Sequence, residues 1–231
     1  MLHKSHISNL ALYSTDWDKA RLGRFTSSRI NALLTEKELT PGAMTYIYQK
    51  VGEELTQYST AVEDQIDDEN TQWGLDNEPN AIKRFQQVKK VEYLATQKLI
   101  SNTDTRFAST PDAIWIHGEC LNQLEYNVST LEVKCPRKYH TYIPLYECKT
   151  PAQLFRFNSR YYWQVLDQMD NCGSAIGYFA CYHPLFPSGS NFNIIEFRKI
   201  DLWEDFRKLK DRKASAVKKF NEIKAEMLRI S

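Results

Sequence analysis

The chain has 231 residues, 42% of them hydrophobic and 26% charged, with a formal net charge of +1 at pH 7. That length supports one substantial domain or two small ones, and the composition is that of an ordinary globular protein. No apolar run reaches the roughly 18 residues of a membrane span, and the near-zero charge argues against a protein that coats nucleic acid without selectivity.

The opening stretch, MLHKSHISNLALYSTDW, is broken by polar residues and lacks the apolar core of a signal peptide. In RLGRFTSSRI (21–30), Thr26, Ser27 and Ser28 precede the apolar-periodic Ile30, Leu33 and Leu34. This is the pattern of a helix N-cap. The same hydroxyls, with free helix amides and a nearby arginine, also make an anion site. Thr40-Pro41 opens a helix carrying Met44, Ile47, Tyr48, Val51 and Leu55 at helical spacing. A polar loop covers 57–70, and a second helix covers about 71–90 with Ile82, Phe85 and Val88 on one stripe.

Strand-like segments follow at 91–95, 105–109, 113–117 and 131–135. A helix is expected over 158–171, strands over 174–183 and 191–199, and a long amphipathic helix over 202–229 with Leu209, Val217, Phe220 and Ile223 inward. Helices around a central set of strands predict an α/β fold, one domain over 1–231. EDQIDDENTQWGLDNE (63–78) is acidic and RKLKDRKASAVKK (207–219) basic. They form either a solvated loop and helix face, or a divided surface meeting cations on one part and phosphates on another. The five cysteines (120, 135, 148, 172, 181) are odd in number and form no C-x-x-C pair. That favours reduced thiols in a cytoplasmic setting. The histidines (3, 6, 117, 140, 183) show no zinc spacing.

Charge inside a strand is the informative anomaly. In LEVKC (131–135), Leu131, Val133 and Cys135 face one way, Glu132 and Lys134 the other. Burying such a pair is costly without partners. Asp112, after Pro111 at the start of another strand, can bring a second carboxylate beside Glu132. Two converging carboxylates suit a hard cation such as Mg²⁺ or Mn²⁺, with Lys134 placed to orient or deprotonate a bound water. An ordinary salt-bridged strand pair is the other reading. Glu147-Cys148-Lys149 and Glu222-Ile223-Lys224 share the spacing without a clean strand context.

"PD…LEVKCP" resembles the signature of the PD-(D/E)XK nuclease superfamily. RLGRFTSSRI (21–30), WGLDNEPNA (73–81) and YYWQVLDQM (161–169) narrow the resemblance to its lambda-exonuclease-like, or YqaJ-like, viral recombinase nucleases. The segments that carry it span residues 21 to 169 in the family's order. The resemblance implies a restriction-endonuclease-like core, a central mixed β-sheet flanked by helices, over about 21–200. It implies that Asp112 and Glu132 ligate the metal together with the Val133 carbonyl, that Glu78 completes the site through water, and that Lys134 is the catalytic lysine. Gln164 would contact the reacting phosphate or the water, with Tyr161 one turn before it on the same face. Arg21 and Ser28 would hold a terminal 5′-phosphate, with Thr110 as the hydroxyl before the metal aspartate and Arg24 either a further phosphate contact or exposed. Pro79 after Glu78 fits only a first helical turn or a kink.

The implied activity is a Mg²⁺-dependent 5′→3′ exonuclease on double-stranded DNA ends, with Mn²⁺ as a substitute. It would leave 3′ overhangs for a single-strand annealing protein in phage-type recombination, acting as a homotrimeric ring in the host cytoplasm. The alternatives are a restriction- or repair-type endonuclease of the same superfamily and a catalytically silent DNA-binding relative.

Overall fold

Two β-sheets pack on one shared, almost fully buried helix. In the computed structural model the described residues are 5–8, 14–59, 69–92, 94–96, 98–102, 106–116 and 128–229. The larger sheet has the order β3-β6-β7-β8-β9, with β3 Ala95–Thr96, β6 Ala113–Ile116, β7 Val128–Lys134, β8 Ile176–Tyr182 and β9 Phe192–Arg198. It is mixed: β7 and β8 run parallel and the other neighbours antiparallel. The smaller sheet has the order β1-β4-β5-β2, from β1 Ser5–Ser8, β4 Leu99–Asn102, β5 Phe107–Ser109 and β2 Phe25–Thr26.

The shared helix is α6, Ser159–Cys172, which contacts β4 and β5 of one sheet and β7 and β8 of the other. It starts on the Asn158 side chain, which accepts from the Arg160 and Tyr161 amides, and stops at Gly173, whose φ of 68° suits glycine. Gly177 on β8 lets it approach closely: a Cβ there would meet Met169 Sδ at 2.6 Å. On the far face of the larger sheet lies α3, Glu69–Lys89, whose Ala81, Ile82 and Phe85 pack on Leu131, Val133, Cys135, Tyr178 and Ala180. The alternation read in LEVKC therefore holds: its apolar side faces α3, its charged side α6.

The remaining helices are α1 Thr15–Arg21, α2 Pro41–Thr56, α4 Tyr139–Glu147, α5 Pro151–Phe157 and α7 Trp203–Arg229. Thr40 caps α2 as expected, but Tyr48 is exposed and Tyr46 takes its place in the core. Val88 is likewise exposed. In α7, Leu209 and Phe220 are fully buried, with Val217 and Ile223 packed beside them.

Several expectations are corrected. Pro79 lies well inside α3, past its first turn. Thr26, Ser27 and Ser28 cap no α-helix: Ser27–Leu33 is a 3₁₀ turn and no Thr26 side-chain hydrogen bond caps it. The strand at 91–95 shrinks to Ala95–Thr96, while β4 replaces what read as linker. Residues 63–68 of the acidic stretch, His3, His117 and Cys120 lie outside the described residues. The other four cysteines are free and buried, and burial, chiefly, pushes the Cys135 thiol up to about 12. Among the described residues no helix is long and apolar enough to cross a membrane.

Candidate active site

The register of the larger sheet builds the site. Ala113 pairs with Leu131, so Asp112, one residue before β6, comes alongside Glu132. Its Oδ2 accepts the Val133 backbone N–H at 2.6 Å, continuing the β6–β7 ladder with a side chain. Glu132 is 1% exposed yet well partnered. Its Oε1 accepts from Lys134 Nζ and from Gln164 Nε2, the latter at 2.5 Å, and its Oε2 from Gln168 Nε2 at 2.5 Å. Unpaired, a buried carboxylate would cost several kcal/mol. Here one ammonium and two amides surround it.

Glu78, half-buried on α3, lines cavities on both sides of this group. Burial and the Glu132 charge raise the Glu78 carboxyl above its ordinary value. The same two causes, in the same order, hold Asp112 well above the usual carboxylate range, with Lys134 opposing. Burial alone would lower Lys134, but Glu132 and Asp112 outweigh it and keep the ammonium charged. Tyr161 stands beside Lys134, its ring centroid 5.5 Å from Nζ, and stacks on Phe179.

Among the described residues no three His, Cys, Asp or Glu side chains gather into a metal cluster. The residues that could hold a cation are Asp112 and Glu132, with the carbonyl of Val133, the residue after Glu132. Such a set of hard oxygens fits Mg²⁺, which takes one or two carboxylates and keeps several waters. A cation between them would also relieve the mutual repulsion that raises Asp112.

A cavity of about 180 Å³ adjoins the carboxylates and is lined by Arg21, Ser28, Thr110, Glu78, Asp112 and Gln164, among others. Arg21 comes from α1, where its guanidinium stacks 4.0 Å from the Trp17 ring centroid. Ser28 comes from the 3₁₀ turn, where Arg160 Nε donates to its carbonyl at 3.0 Å. All the residues singled out from the sequence thus meet at one place, except Arg24. Arg24 is half-buried, lies beside Arg106 and Glu54, and lines none of the cavities here. A second cleft, about 400 Å³, opens past Glu78, Asp112 and Lys134 toward Arg137, Lys138 and Tyr161.

Gln168 escaped the sequence reading. Its signal was present, since it stands four residues after Gln164 and so on the same helical face. The basic stretch is largely the solvated helix face expected, with Arg207, Lys210 and Lys218 exposed on α7, but two of its lysines turn inward. Lys213 is buried and bonded to Asp167 and Asp170 at 2.8 Å each, and Lys208 lies over the Trp163 ring. The decoy Glu147 sits exposed at the end of α4.

No curated protein matches the chain. Among solved structures it is similar to an alkaline exonuclease, LHK-Exo, from Laribacter hongkongensis, with TM-score 0.66 and 18% identity over 94% of this chain and 100% of that one. The same enzyme in complex with dAMP gives TM-score 0.65 and 19% identity over 94% of this chain and 100% of that one. A phage-related exonuclease from Haemophilus somnus 129PT gives 0.63 and 14%, over 88% and 96%. These likenesses establish the fold. A family model described as the YqaJ-like viral recombinase domain matches residues 16–174, more than half of the chain. That stretch contains Arg21, Glu78, Asp112, Glu132, Lys134 and Gln164, and the chain therefore belongs to the YqaJ-like viral recombinase family.

Proposed function

We propose that this protein is a Mg²⁺-dependent 5′→3′ exonuclease. It degrades one strand of linear double-stranded DNA and leaves 3′ overhangs for strand-annealing recombination of the phage type. One observation carries the reading: a single cavity is lined both by Asp112 and Glu78 and by Arg21, Ser28 and Thr110. Carboxylates of the metal site and an anion pocket within one cavity would hold a terminal phosphate while the next phosphodiester meets the metal, an orientation effect as much as an affinity one. The structural neighbours are exonucleases, one of them in complex with dAMP, which agrees with that arrangement.

Asp112, Glu132 and the Val133 carbonyl would hold Mg²⁺ or its substitute Mn²⁺, with Glu78 completing the site through water, and the ion would supply Lewis-acid polarisation and an activated water. The chain's own residues do the rest. Gln164 and Gln168 fix both oxygens of Glu132. Lys134, kept as an ammonium by Glu132 and Asp112, orients the water and stabilises charge developing on the phosphate. That electrostatic setting favours this role over proton abstraction. Arg21, Ser28 and Thr110 hold the end, with Tyr161 and Gln164 beside the scissile group.

A ring of three copies around DNA sums the basic patches of nearly neutral subunits in its channel. Light scattering returning a trimer mass supports it, and an active monomer refutes it. A single-strand annealing protein is the expected partner, in the cytoplasm of the host. The deciding assay follows 5′-labelled and 3′-labelled linear duplex with Mg²⁺. Early loss of the 5′ label is expected. Cleavage of covalently closed plasmid would favour the endonuclease reading, and no Mg²⁺-dependent cleavage would favour the silent DNA-binding relative.

A further inference from the structure

Helix α6 carries a second polar row beside the one that holds Glu132. Three residues on from Gln164 and Gln168 stand Asp167 and Asn171, both buried. Asp167 Oδ2 accepts from Ser27 Oγ at 2.6 Å and from Asn171 Nδ2 at 3.1 Å. Its Oδ1 accepts from Lys213 Nζ of α7 at 2.8 Å. Lys213 spends its other two protons on Asp170 Oδ2 and Asn171 Oδ1, each at 2.8 Å. Nothing in the sequence singled out Asp167, Asn171 or Lys213 for a role, and Ser27 read only as a local cap or anion-site hydroxyl.

Ser27 lies between Thr26 and Ser28, and all three line the cavity with Arg21. The turn is pinned on either side of Ser27. The Thr26 amide donates to Tyr46 Oη at 2.7 Å, and Arg160 donates to the Ser28 carbonyl. With Ser27 on Asp167, one rigid helix sets both the metal carboxylate and the segment facing the DNA end. A hydrogen bond to a buried, charged acceptor is strong enough to fix such a turn, and its loss weakens the hold on the terminal phosphate while Asp112, Glu132 and Lys134 stay in place.

We infer that Ser27 and Asp167 are positioning residues for terminal-phosphate recognition, with Lys213 holding Asp167 in place from α7. The inference rests on the 5′-phosphate reading above. It is tested by steady-state digestion of 5′-phosphorylated and 5′-hydroxyl duplexes, with Tm measured in parallel. Ser27→Ala is expected to raise KM on 5′-phosphorylated ends about tenfold, to change kcat less than about twofold, and to affect 5′-hydroxyl ends less. Ser27→Thr, which keeps the hydroxyl, should recover most of that loss. Asp167→Asn can still bond Ser27 with either polarity but leaves Lys213 short of one charge. It should lower Tm yet retain the preference for phosphorylated ends. Ser27→Cys serves in place of Ser27→Ala if the alanine variant fails to fold. An unchanged KM in Ser27→Ala, or equal slowing on both ends, would overturn the inference while a phosphate preference in the unmodified protein leaves the parent reading standing. No preference in the unmodified protein overturns both.

Discussion

Gln168 donates its side-chain amide to Glu132 Oε2 at 2.5 Å, while Gln164 takes the other oxygen from one turn earlier on α6. With Glu132 itself 1% exposed, the orientation of the carboxylate is set by these two amides and Lys134. Gln168→Ala should therefore loosen the carboxylate without removing it. We expect a loss of about 10–100-fold in activity, the range for partners that orient a metal ligand, with the Mg²⁺ concentration for half-maximal rate shifted upward. A variant with the parent Mg²⁺ dependence would show that Gln168 only fills space.

Glu132→Ala and Lys134→Ala should each reduce cleavage by roughly a thousandfold or more while leaving binding to duplex ends largely intact, since the proposed roles, metal ligand and stabiliser of developing charge, serve the chemical step and neither residue holds the end. Glu147→Ala, at the exposed end of α4, should stay near the unmodified rate. Gel-shift and cleavage assays on the same preparations check both halves. An inactive Glu147→Ala beside an active Glu132→Ala would reverse the assignment.

Arg21→Ala should slow digestion of 5′-phosphorylated duplex by about 10–100-fold and 5′-hydroxyl duplex much less. A terminal phosphomonoester carries about one more negative charge than a diester because its second pKa is near 6. One charge-assisted contact is worth roughly 1.5–3 kcal/mol, and about 1.4 kcal/mol is tenfold. Equal rates on the two substrates before mutation would remove the pocket from the mechanism.

Acid should attack the buried ion network through Asp170. Burial alone would raise its carboxyl, but Lys213 outweighs burial and holds it below the ordinary value, with Lys199 and Lys210 adding to the effect. A depressed native value means stabilisation that is present above the unfolded aspartate pKa of about 3.9 and lost as pH falls through the native one. Lys213, raised by Asp167 and Asp170 despite burial, stays charged throughout that range. Asp170→Asn is therefore expected to lower stability at pH 7 by on the order of 1–3 kcal/mol and to flatten the decline below about pH 4. Thermal melts from pH 2 to 8 check this, and parallel acid limbs for the two proteins would contradict it.

The reach of the sequence is clearest where one residue type serves one purpose. Alternation in LEVKC assigned Glu132 and Lys134 to the polar face because a two-residue period admits no other arrangement in a strand. The Thr40-Pro41 start of α2 and the stripe of α7 were legible for the same kind of reason. Helices α4 and α5 were not, since prolines disfavour helix interiors; Pro144 is nonetheless accommodated inside α4, and Pro151 opens α5 behind a Thr150–Gln153 capping box. The hydroxyls of Thr26 and Ser27 read as caps because a local pattern cannot see a partner 140 residues away, which is where Ser27 finds Asp167. Lys213 looked like one more surface cation in a basic run for the same reason. Its partners lie 43 and 46 residues upstream.

The pairing of β7 with β8 bears on where this fold can be divided. The family match ends at residue 174, yet β8 begins at Ile176 and supplies the parallel neighbour of the whole Glu132–Lys134 segment. A chain stopped at 174 would turn the strand that carries Glu132 and Lys134 into an open sheet edge, with unpaired amides and carbonyls inviting association with other copies. It would also strip Lys213 from Asp167 and Asp170, leaving two carboxylates without the ammonium they share. The shortest autonomous unit is thus longer than the recognisable one. Limited proteolysis should leave the last 57 residues attached to the protected core, because the sequence-matched region of a 231-residue chain, ending at 174, borrows its central strand pairing from beyond its own boundary.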